Sequence, residues 1–138
     1  MAGDVVAAWL RAAREDVRIA EACLGLAEPA TGGAAFHCQQ AAEKLLKALL
    51  THRGVHPPKT HDLTRLLDLL PRGDELRGLL DGLEALSPYA VAGRYPDADW
   101  FGEPVDEPSA DLLRGWVATL TETEARLRAA LLPPPARE

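Results

Sequence analysis

The stretch Phe36-His-Cys-Gln-Gln-Ala-Ala-Glu-Lys-Leu-Leu-Lys-Ala-Leu-Leu50 decides the fold class. Within it Cys38, Ala42, Leu45 and Leu49 recur every three or four residues, the spacing of one face of an α-helix. Gln39, Glu43 and Lys47 form a second, polar stripe spaced by fours on the same helix. The pattern predicts a helix from about Ala34 that runs until Gly54 and Pro57-Pro58, where proline offers no amide to the helical ladder.

The same periodicity extends outward in both directions. Val6, Trp9, Ala13, Val17, Ala20 and Leu24 make the apolar stripe of a long first helix, with Arg11, Arg14, Arg18 and Glu21 on its opposite side. Glu28-Pro-Ala-Thr-Gly-Gly33 breaks the period before the second helix. Downstream, Thr60 is placed to cap a third helix whose first turn carries Asp62 near the positive end of the dipole. Leu63, Leu66, Leu67 and Leu70 supply its buried face. After Pro71-Arg-Gly73, the leucines at 76, 79, 80, 83 and 86 predict a fourth helix. From Ser87 to Pro108 the pattern fails, and prolines, glycines, Tyr89, Tyr95 and Trp100 alternate with acids in what reads as a long ordered loop. Ser109 then caps a last helix bearing Leu112, Trp116, Leu120, Leu127 and Leu131, which Pro133-Pro-Pro135 ends. No strand alternation of useful length is present. The expected fold is therefore all-α, a five-helix up-and-down bundle over residues 1–132 with a frayed proline-rich tail at 133–138.

Composition narrows the function without naming it. The 138 residues suit one domain, and 47% hydrophobic with 26% charged residues is ordinary globular usage, which argues against disorder. No apolar run approaches the roughly 20 residues that span a bilayer, and Met1-Ala-Gly-Asp4 lacks the basic start of a signal peptide. A cytoplasmic protein with no membrane partner is expected. The net charge of −6 has the wrong sign for a chain that coats nucleic acid over its whole surface. The charge is unevenly spread, however. Between His37 and Arg65 the bases Lys44, Lys47, Arg53, Lys59 and Arg65 outnumber Glu43 and Asp62, and all four histidines lie there too. Asp97 to Asp111 carries only acids. The basic segment is suited to an anionic ligand or to pairing with the acidic one.

Several side chains in that segment carry chemistry. His61 beside Asp62 at a helix start, with Arg53, His56 and Lys59 just before it, can surround a phosphate. His61 as base and Arg53 as charge stabiliser have the chemistry for phosphoester cleavage; helix capping by His61 and a solvated Arg53 are the plainer reading. His52 and His56 have metal-ligand spacing, but Gly54 and Pro57 unwind the helix at that point and no acid completes a ligand set. Glu43 and Lys47 form a favourable i, i+4 ion pair. Arg94-Tyr95 on the long loop offers a guanidinium for phosphate and a ring for stacking, or a loop anchor. Cys23 and Cys38 show no redox or zinc spacing and read as small buried hydrophobes.

Taken together, Phe36 to Leu50, followed by Pro57-Pro-Lys-Thr-His-Asp-Leu-Thr-Arg-Leu-Leu67, resembles the HEPN domain, the nucleotide-binding helical domain of higher eukaryotes and prokaryotes. Ala13-Arg-Glu-Asp-Val17 is similar to the family's first helix and Gly93-Arg-Tyr-Pro96 to the segment before its last. The resemblance implies a helical bundle, commonly a homodimer, that binds nucleotide or RNA beside a minimal nucleotidyltransferase partner, in pairs some of which are toxin and antitoxin. It calls for no cofactor. It also implies that the polar face of the second helix lies in the cleft, with Glu43 orienting an arginine such as Arg94. Many family members are metal-independent ribonucleases whose Arg and His are separated by four to six residues. Here those positions after Arg53 reach only Pro58, Lys59 and Thr60, His61 comes one residue too late, and no His follows Arg94. The spacing speaks for a binding module with Glu43, Lys47, Arg53, His56, Lys59, His61, Arg94 and Tyr95 at its site, and against a ribonuclease using Arg53 and His61. A dimeric interaction module without a ligand is the third expectation.

Overall fold

The computed structural model describes residues 2–90 and 107–134. These residues are helical, with no strand among them. Four α-helices follow in order: α1 (Ala2–Leu24), α2 (Thr31–His52), α3 (Leu63–Asp68) and α4 (Ala110–Leu131), with two 3-10 turns, Arg77–Leu79 and Leu83–Ala90, between α3 and α4. Among the described residues no helix is long and apolar enough to cross a membrane.

The central element is α2. Every residue from Ala41 to Leu50 except Lys44 is buried, because α1, α3, α4 and the second 3-10 turn all pack on it. Alanines along this helix let its neighbours approach closely. Gly33 shows the same constraint at the other end, where an added Cβ would lie 3.2 Å from Cys23 Sγ of α1. The helix starts at Thr31, three residues before the expected Ala34, so the Gly pair belongs to its first turn rather than to the break. Its end follows the expected signal. Gly54 adopts φ +80°, and the amides of Gly54 and Val55 donate to the carbonyls of Thr51 and Leu50, the paired bonds of a Schellman cap.

The core is a contiguous set of leucines and alanines from all the helices, including Leu10, Leu45, Leu49, Leu63, Leu80, Leu113 and Leu120. The expected stripes of α1 and α4 are buried apart from Trp9 on α1 and Leu112 and Trp116 on α4. On α1 Leu10 is buried and Trp9 only partly so, and on α4 Leu113 and Val117 point inward while Leu112 is 52% exposed.

Three local expectations are corrected. Asp62, not Thr60, caps α3, its carboxylate accepting from the amides of Thr64 and Arg65, while the Thr60 hydroxyl accepts from the Asp62 amide one step earlier. The expected fourth helix is instead the pair of 3-10 turns. Gly82 at φ +95° interrupts the α path, the Glu84 carboxylate accepts from its amide at 2.8 Å, and Pro88 lies inside the second turn. Leu80, Leu83 and Leu86 nevertheless reach the core as the periodicity required. The start of the expected loop is helical as well, since the second turn continues to Ala90 and the Ser87 hydroxyl accepts from the Leu63 amide. Ser109 caps α4 as expected, accepting from the Leu112 amide.

Candidate functional site

Glu43 sits on the inward side of α2 with its side chain only 6% exposed. A carboxylate so placed requires partners, and it has three. Lys47, one turn on, brings Nζ to 3.0 Å from Oε2. His61, from the segment leading into α3, brings Nδ1 to 2.7 Å from Oε1. The Gln39 amide donates to Oε1 at 3.4 Å and to the His61 carbonyl at 3.1 Å, which ties the His61 backbone to the same helix face. A carboxylate can only accept, so Nδ1 of His61 carries the hydrogen and Nε2 is the ring nitrogen left for a ligand. The His61 side chain is 69% exposed, and the dyad therefore opens to solvent.

Lys47 links this dyad to a second feature. Its Nζ lies 5.7 Å from the ring centroid of Trp9, within cation-π range. Beyond them opens a pocket of about 530 Å³ between the start of α1 and the segment after α2, lined by Trp9, Lys47, His56, Pro57, Pro58 and Lys59 among others. Pro57 and Pro58 carry the chain away from the helix end, and His56 and Lys59 on either side of them line the same pocket as Trp9.

The expected site is thus divided. Lys47, His56 and Lys59 converge on the Trp9 pocket, and Glu43 and His61 form the adjoining dyad. Arg53 goes elsewhere. Its Nε and Nη2 donate to the two carboxylate oxygens of Asp74 at 2.6 and 3.0 Å, a bidentate pair. That bonding raises the Arg53 guanidinium further and, assisted by the Leu76 and Arg77 amides, holds the Asp74 carboxyl below the usual carboxylate range against some desolvation. Arg94 and Tyr95 lie outside the described residues. His52 and His56 are separated by the helix end, and no three His, Cys, Asp or Glu side chains gather to hold a metal among the described residues.

A second buried carboxylate was not anticipated. Asp16 of α1 accepts from His37 Nδ1 at 2.8 Å and from Lys44 Nζ, both of α2. Its signal was present in the sequence, because residue 16 lies three after Ala13 and four before Ala20 and so falls on the buried stripe. Trp9, which the periodicity places on the core stripe, is only partly buried and lines the pocket. Burial pushes the Cys38 thiol up to about 12, with the nearby Cys23 adding to the shift, as befits a packing residue.

A family model described as the HEPN domain matches residues 6–126. The chain belongs to the HEPN family. The match takes in most of α1 and α4 and all of α2 and α3, and with them both carboxylate clusters and nearly all of the Trp9 pocket of this HEPN domain. No curated protein and no solved structure matches the chain.

Proposed function

We propose that this HEPN protein is a nucleotide- or RNA-binding module, a cytoplasmic homodimer that acts with a minimal nucleotidyltransferase in a toxin-antitoxin-like pair. The observation that carries the binding role is the Trp9 pocket. An indole suits a base, and His56 and Lys59 suit its phosphate, around one largely apolar cavity of nucleotide size. Lys59 of the pocket lining has no carboxylate partner among the described residues and offers its ammonium to an anion there. The homodimer rests on the family resemblance, and Leu26, Leu69 and Leu112, each more than two-fifths exposed, are apolar side chains a second copy could cover.

A divergent ribonuclease is the second reading, favoured by one observation: Glu43 holds His61 with Nε2 free, as an orienting carboxylate holds a catalytic histidine. Against it, the arginine this chemistry would call on is bound by Asp74 on both oxygens. The test is incubation of the purified protein with end-labelled RNA. A binding module retains the RNA intact and loses it on Lys59→Ala. A ribonuclease shortens it and stops on His61→Ala.

A further inference from the structure

The groove between α1 and α4 presents a charge arrangement that the Trp9 pocket does not use. Glu124 of α4 is buried, its side chain 7% exposed, and it faces two guanidiniums: Arg14 Nη2 at 3.3 Å and Arg128 Nη2 at 3.6 Å. Those arginines are themselves 48% and 42% exposed. Each commits one terminal nitrogen to the carboxylate, and Nε and Nη1 of both have no partner among the described residues. Arg18 lines the same groove, one turn beyond Arg14, and has no partner there either. The groove holds about 310 Å³, and its lining also includes Glu21 at one side. Three bases against two acids leave it positive in a chain of net charge −6.

A carboxylate buried under two exposed arginines is a costly way to make a surface ion pair, whose usual worth is about 0–1 kcal/mol. It is an effective way to hold two guanidiniums side by side at one place. With one terminal nitrogen of each drawn to the carboxylate below, the free N–H edges can meet a tetrahedral oxyanion with less loss of side-chain entropy. We propose that this groove is a second ligand site, one that takes a phosphate group through Arg14, Arg18 and Arg128, with Glu124 as the positioning residue. The site is separate from the Trp9 pocket. Arg18 lies nine residues after Trp9, which is half a turn out of phase and about 13 Å further along α1. The phosphate can belong to a free nucleotide or to an RNA backbone.

The test follows the arginine Nε–Hε signals of the full-length ¹⁵N-labelled protein by NMR during titration with inorganic phosphate, AMP and an oligouridylate, each against sodium chloride at equal ionic strength. The signals of Arg14, Arg18 and Arg128 are expected to move together with phosphate and not with chloride. Affinity for oligouridylate well above that for inorganic phosphate assigns the RNA backbone; equal or lower affinity assigns a free phosphate. Arg18→Ala removes no bond of the fold and should weaken phosphate about tenfold, the worth of one charge-assisted hydrogen bond. Lys59→Ala should leave the groove signals responding as before, whether or not it abolishes binding at Trp9. Glu124→Gln discriminates most sharply: it deletes a negative charge, so bulk electrostatics calls for tighter phosphate, whereas loss of positioning calls for weaker. Silent signals, an equal response to chloride, or an Arg18→Ala variant that binds unchanged would overturn the site, and tighter phosphate in Glu124→Gln would overturn the role of Glu124.

Discussion

Glu43 and His61, eighteen residues apart, meet at 2.7 Å across the junction of α2 and the α3 approach. That contact places a histidine with one free ring nitrogen beside a buried lysine, and the lysine in turn reaches the Trp9 ring. The stability of this array rests on Glu43. Removing it by Glu43→Ala strands the Lys47 ammonium, whose side chain is 10% exposed, and should lower unfolding free energy by about 3 kcal/mol. Replacing both charges, Glu43→Leu with Lys47→Met, should recover most of that loss. Urea denaturation of the three variants at constant m-value checks both statements; a double variant as unstable as Glu43→Ala would contradict them.

Asp16 anchors α1 to α2 in the same way. Asp16→Ala leaves His37 and Lys44 without their shared acceptor and should destabilise by about 2 kcal/mol. His37→Ala, which leaves the Lys44 pair in place, should lose less than half as much. Equal losses in the same denaturation experiment would show that the lysine contributes nothing.

The Arg53–Asp74 pair makes stability depend on acid. Asp74 has a folded value held below the ordinary carboxylate value of about 3.9, so its contribution is complete above that pH and is lost as pH falls through the lower, folded value. The amount is on the order of 1 kcal/mol for a bidentate pair near the surface. Asp74→Asn should reduce stability at neutral pH and flatten its decline below pH ~4. An undiminished acid slope in that variant would assign the slope to other groups.

The thiols should differ sharply in reactivity. Cys38 is buried with its thiol pushed up to about 12, and only Cys23 is partly accessible. Alkylation of the folded protein at mildly alkaline pH should therefore label Cys23 and spare Cys38 until denaturant is added. Mass spectrometry of peptides shows which cysteine carries the label, and early modification of Cys38 would contradict the packing described for α2.

Much of this fold is legible in the sequence. The stripes of α1, α2 and α4, the Ser109 cap and the Gly54 stop each depend on residues within a few positions of one another, and local spacing carries that information. The polar face of α2 was legible too, since Glu43 and Lys47 are one turn apart. What spacing does not carry is the rotation of one helix against another. That rotation decides that Leu10 rather than Trp9 enters the core, and that Lys47, His56 and Lys59 share a pocket with an indole from α1. The pairing of Arg53 is hidden for the same reason, because its partner Asp74 lies 21 residues away, beyond α3. The leucines of the expected fourth helix reach the core, yet Gly82 and Pro88 prevent the α path between them, a case where local backbone chemistry overrides a correct apolar pattern.

Light scattering tests assembly. A homodimer through the exposed apolar side chains should give twice the mass of one chain at micromolar concentration, and a mass of one chain would contradict it.

The most direct measurement is the fluorescence of Trp9 during nucleotide titration, in a protein carrying Trp100→Phe and Trp116→Phe so that Trp9 is the remaining indole. A base stacked in the pocket should quench or shift the emission saturably, the effect should weaken steeply as salt is raised, and Lys59→Ala should abolish it while the fold persists. Emission that stays constant through the titration, or that responds identically in Lys59→Ala, would contradict a nucleotide site between α1 and α2.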